Sequence, residues 1–132
     1  MKVFESTSQE WIGGLQESGY GTDYKITLKV KAGSDQLQFQ ELWVGDTYMK
    51  VRVLADPATP KAGEFAKGAK VTIKAGVTYR PGPDEKVKQI NAVDVKKPFN
   101  YKGAGLLGYT CKGKKLYLEI TDFRQLEKII YP

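Results

Sequence analysis

Apolar side chains recur at every second position in four separate stretches of this chain, and that period decides what it can fold into. From Tyr24 to Lys31, Ile26, Leu28 and Val30 fall on one side, with Lys25, Thr27, Lys29 and Lys31 on the other. The same pattern places Met49, Val51 and Val53 against Lys50 and Arg52, and Val71 and Ile73 against Lys70, Thr72 and Lys74. Leu116, Leu118 and Ile120 form a fourth case. Successive side chains of a strand point to opposite faces, so this period predicts strands with one buried side.

Two further stretches alternate but change parity midway. Leu37 and Phe39 give way to Leu42 and Val44, and Ile90 and Ala92 to Val93 and Val95. One extra residue in a strand moves every later side chain to the opposite face, so each change predicts a β-bulge. Turn-forming residues separate the stretches: Gly33-Ser34-Asp35, Gly45-Asp46, Asp56-Pro57 through Pro60, Arg80-Pro81-Gly82-Pro83-Asp84 and Lys112-Gly113-Lys114. Helical periodicity is confined to the end of the chain, where Asp122 could cap a turn or two with Gln125 at the third helical position.

Seven to eight short strands in 132 residues predict one all-β domain spanning residues 1–132. The expected architecture is an immunoglobulin-like antiparallel β-sandwich, with an OB-like small barrel as the alternative. It begins with a Trp11-containing strand, bent at Gly13 and Gly14, and closes on a strand ending at Tyr131. A chain of this length can bury an adequate core without disulfides, and Cys111 reads as a packed thiol on a strand.

The residue inventory weighs against catalysis. There is no histidine, so Ser6, Ser8, Ser18, Ser34 or Cys111 could be activated only by a lysine or a carboxylate. Paired carboxylates of the glycosidase kind are not defined by any spacing here. Asp35, Asp46, Asp56 and the Asp84-Glu85 pair sit in turns, where the turn preference of Asp accounts for them without a calcium ion. The expectation is a protein that is not an enzyme and carries no metal and no cofactor.

Charge is the stronger lead. The chain has a formal net charge of +6. Residues 61 to 103 contain ten Lys or Arg against four Asp or Glu, so the whole excess falls there. Lys67, Lys70, Lys74, Lys86, Lys88, Lys96 and Lys97 form a candidate basic patch for nucleic acid, an anionic glycan or lipid headgroups. Tyr79, Arg80 and Tyr101 lie close by in sequence, and Tyr20 stands between two glycines; these four are the candidate ligand-binding residues. The blander alternative is that the lysines solvate two alternating strands and protect sheet edges from aggregation. Trp11, Tyr20, Trp43, Tyr48 and Tyr117 could instead line a sugar-stacking platform, although Trp11 and Trp43 suit packing better.

Three motifs resemble an uncharacterised family of small secreted or lipid-anchored envelope proteins of Bacteroidetes. They are Gln9-Glu10-Trp11 with Gly13 and Gly14, then Glu41-Leu42-Trp43-Val44-Gly45, and Leu116-Tyr117-Leu118-Glu119-Ile120 running on to Ile130-Tyr131-Pro132. The chain departs from the family pattern at Glu17-Ser18-Gly19-Tyr20-Gly21, where several glycines and a serine are usual. The resemblance implies a β-sandwich at a periplasmic or cell-surface address, the signal or lipid anchor having been removed. The resemblance brings no site residues; together with the missing catalytic chemistry it leads to the expectation of a binding or scaffolding role whose partner is unknown, with an envelope protein or an anionic glycan as candidates. Read from Met1 as a native start, without a signal-like apolar run, the chain would be cytoplasmic. No apolar stretch reaches the roughly 20 residues that a membrane-crossing helix needs. Single-stranded nucleic acid bound by the basic segment is the less favoured alternative, and a glycan-binding module the third.

Overall fold

The computed structural model describes residues 2–14, 18–30, 37–54, 68–81, 87–89 and 93–132. The described residues form two β-sheets packed face to face and contain no α-helix. The larger sheet is built on β1 (Lys2–Ile12), β2 (Tyr20–Lys29) and β6 (Lys70–Pro81), paired antiparallel in that order. Short pieces extend it: β5 (Arg52–Val53) and β7 (Val87–Gln89) along β6, and β10 (Arg124–Gln125) and β11 (Ile129–Ile130) along β1. The smaller sheet runs β4 (Thr47–Lys50), β3 (Leu37–Val44), β8 (Gly105–Cys111), β9 (Lys114–Ile120).

The alternating residues build the core as their period requires. Ile26, Leu28, Val71, Ile73 and Val77 project from the larger sheet to meet Leu37, Phe39, Leu42, Met49, Leu107 and Ile120 from the smaller one. All are buried, and Cys111 packs at the margin of this cluster. The parity change in β3 is a bulge: its pairing with β8 slips between Phe39 and Glu41. Leu42 thereby returns to the core, and Trp43 is turned to the opposite face. The second expected bulge, at residues 90–92, lies outside the described residues.

Two turns follow the sequence closely. Gly45 opens the two-residue β3–β4 connection with φ 62°, a conformation that costs a glycine little. Lys112 and Gly113 join β8 to β9 with φ 51° and 78°, the double positive-φ geometry that favours right-twisted hairpins. The turns at 33–35 and 56–60, and most of 80–84, fall outside the described residues.

Two expectations are corrected. The alternating stretch from Met49 to Val53 is not one strand; it leaves the smaller sheet after Lys50 and joins the larger one at Arg52, with Val51 spanning the corner. The helical turn at Asp122 does not form. The Asp122 carboxylate accepts a hydrogen bond from the adjacent Phe123 N–H at 2.8 Å, and Phe123 packs edge-on against Tyr24. Residues 124–130 instead find the open edge of β1, where the Leu126 and Tyr131 N–H groups donate to Ser8 and Ile12 carbonyls at 2.8 and 3.0 Å. A strand edge with unpaired backbone groups outweighed a weak local cap. The last strand accordingly ends at Ile130, beside the hydrogen-bonded Tyr131.

Candidate anion-binding face

The core residues of the larger sheet alternate with residues on its outer face, and the strand register sets these outward residues in rows across the sheet. One row is Lys70, Lys29 and Lys2, directly opposite one another on β6, β2 and β1. Four residues along, a second row runs Arg52, Lys74, Lys25, Thr7 and Arg124. Thr72, Thr27 and Glu5 lie between them. Glu5 is tied to the guanidinium of Arg124, which leaves Asp23 as the other carboxylate on this face among the described residues. Lys2, Lys25, Lys29, Arg52 and Lys70 are all exposed, while Lys74 is half-buried. Like charges directly opposite in a sheet repel, so the first row costs the folded state some stability.

An aromatic ring lies towards each end of β1. The pairing of β1 with β2 slips between Val3 and Glu5, and the extra residue, Phe4, is 61% exposed with the Lys70 ammonium 4.5 Å from its ring centroid. At the other end Trp11 lies opposite Gly21, with ring atoms Cε2 and Cζ2 2.9 Å from where a Cβ on Gly21 would stand. Only glycine there leaves room for the indole over the backbone of β2. Tyr131 meets the indole edge-on at 6.4 Å, and Arg80 continues the outward face of β6. Together with Gly13, Gly14, Ser18 and Pro132 these residues line an open cleft of about 620 Å³.

The outer face of the smaller sheet is different. Trp43 and Leu106, each 1% exposed, lie side by side there with Tyr48 and Tyr117. Residues 93–101 cover them: the Trp43 indole N–H donates to the Val95 carbonyl at 2.9 Å, and Phe99 meets Tyr117 edge-on at 5.5 Å. The Tyr101 hydroxyl donates to the Gly45 carbonyl at 2.7 Å, and Lys97 pairs with Asp46 at 2.7 Å. Burial raises the Tyr48 and Tyr101 hydroxyl pKa values, and the Asp46 hydrogen bond raises that of Lys97.

The residues singled out in the sequence are thus dispersed. Tyr20 and Tyr79 pair across β2 and β6 and stack at 5.4 Å, on the core side of the larger sheet at its open end. Arg80 points the other way, and Tyr101 belongs to the cover of the smaller sheet. Of the basic segment, Lys70 and Lys74 join the outer face of the larger sheet. Lys96 and Lys97 lie beside the β3–β4 turn, and Lys88 occupies β7 opposite Arg80. Lys67 and Lys86 fall outside the described residues. The sugar platform is likewise divided, because Trp43 is sealed and Trp11 stands on the other sheet.

Sequence counting missed Lys2, Lys25, Lys29, Arg52 and Arg124, since charge was summed along the chain rather than across strands. The signal was present in the alternation itself, which already put Lys25, Lys29, Lys70 and Lys74 on polar faces. No family model matches this chain, and neither curated proteins nor solved structures gave a match. The envelope-family resemblance therefore rests on its three motifs.

Proposed function

We propose that this domain is a non-catalytic binding module whose working surface is the outer face of the larger sheet and whose ligand is an anionic polymer. The observation that carries this reading is the row Lys70, Lys29, Lys2 with the row Arg52, Lys74, Lys25, Arg124 beside it. Glu5 offsets Arg124, but lysines held directly opposite one another raise the free energy of the folded protein, and a bound polyanion would offset that cost. A chain of regularly spaced negative charges fits two parallel rows better than one small anion does. The reading applies equally to a periplasmic, cell-surface or cytoplasmic protein.

Titration with labelled polyphosphate at about 50 and 200 mM salt tests it. A protein that neutralises about six phosphates loses on the order of a thousandfold in affinity over that interval, through counterion release. The double reversal Lys25→Glu with Lys74→Glu should abolish binding at low salt while leaving the thermal midpoint close to that of the parent. Absence of binding by the parent protein at about 50 mM salt would remove the proposal.

A further inference from the structure

The Trp11 cleft shares the outer face with the cation rows and lies along the strands from the second of them, beyond the positions of Gln9, Asp23 and Gly76. Measured along the strands, the indole stands four residues, about 13 Å, from the row containing Lys25 and Lys74. Its position over Gly21 leaves the ring half-buried with Arg80 and Tyr131 around it. A second ring, Phe4, is exposed beside the Lys70 row, about 20 Å from Trp11 along the strand. Charge for a backbone and π-faces for flat rings therefore occur together on a single exposed surface.

Resting on the polyanion reading above, we propose that the polymer is a single-stranded nucleic acid and that one of its bases stacks on Trp11. Its phosphates then follow the lysine rows. Unpaired bases present π-faces to aromatic rings and hydrogen-bonding edges to a guanidinium, which suits Arg80 beside an indole. A highly charged glycan could use the lysines and lay an apolar sugar face on the indole, but it offers no flat hydrogen-bonding edge to Arg80. An anionic membrane would need apolar side chains projecting from this face, and the one exposed ring away from the cleft, Phe4, lies beneath an ammonium. In duplex DNA the bases are stacked on each other, leaving Trp11 without a partner.

Fluorescence anisotropy with a labelled oligothymidylate, competed by polyphosphate of matched charge, by heparin, by duplex DNA and by phosphatidylserine vesicles, tests the assignment. Oligothymidylate should bind about tenfold or more tightly than each competitor and should quench tryptophan emission, whereas polyphosphate should not. Trp11→Leu should weaken oligothymidylate binding about tenfold and leave polyphosphate binding unchanged. Trp11→Phe, which keeps a ring over Gly21, should retain the fold and most of the affinity while removing the quenching, because Trp43 is only 1% exposed. Equal affinity for oligothymidylate and polyphosphate would overturn the base-stacking proposal and leave the polyanion reading standing. So would an equal loss of both in Trp11→Leu, or tighter binding to heparin, vesicles or duplex than to oligothymidylate. Failure of every anion to bind at low salt would overturn both.

Discussion

The two sheets of this sandwich share one core but finish their outer faces in opposite ways. The smaller sheet places Trp43, Leu106, Tyr48 and Tyr117 outward and covers them with residues 93–101, through the indole bond to Val95 and the Tyr101 bond to Gly45. The larger sheet places lysine opposite lysine, with Lys74 half-buried and Lys2, Lys25, Lys29 and Lys70 exposed. One outer face is thus a second layer of packing, and the other is a surface whose charges are left in water. The lesson is that an aromatic side chain in this sequence does not by itself mark an exposed surface. The aromatic cluster on the smaller sheet is packed and sealed, whereas Trp11 is a candidate because it shares the outer face of the larger sheet with the cation rows.

That contrast can be broken most forcefully at Trp43. Trp43→Ala should lower unfolding free energy by about 3 to 5 kcal/mol, since it empties a buried site and orphans the Val95 carbonyl. Lys25→Ala, on the open face, should stay within about 0.5 kcal/mol. Urea denaturation of the two variants measures the difference, and similar losses would show that the two faces are not distinct in kind.

A smaller effect sharpens the other side. If the lysine rows repel one another, added sodium chloride should raise the thermal midpoint of the free protein by a few degrees, screening charges within a Debye length of about 10 Å at 0.1 M salt. The same salt should weaken polyanion binding. A midpoint that falls or stays level across this range would remove the argument from repulsion.

The smallest effect at neutral pH is titration of the covered face. The folded state raises the pKa values of Tyr48 and Tyr101 by burial and that of Lys97 through Asp46. In each case it favours the protonated form. The contribution is therefore complete below the unfolded values, near 10, and is lost as pH rises through the folded ones. Urea midpoints should be level from neutrality to about pH 9 and fall above about pH 10. Tyr101→Phe, which cannot ionise at this position, should fall less steeply; an identical alkaline slope would detach Tyr101 from the effect.

Much of the fold was legible along the chain because a half-buried strand writes its environment into every second residue. Ile26, Leu28, Val71, Ile73 and Ile120 all face the core that their period predicts, and the parity change at Leu42 marks a real bulge. The sheet change at Val51 was not legible. A strand that crosses from one sheet to the other keeps its alternation until the corner. The strands at Arg124 and Ile129 were hidden for another reason, because their partner is β1, more than a hundred residues earlier.

The candidate site divides along the same line. The sequence by itself determined that this is an all-β chain with polar strand faces rich in lysine, because side-chain period is a local property of the backbone. Only the tertiary structure decided that Lys2, Lys29 and Lys70 form one row, that Trp11 shares their face, and that Trp43 does not. Strand register is fixed by packing and backbone pairing between distant segments. A charge summed along the chain therefore cannot show which cations will stand side by side.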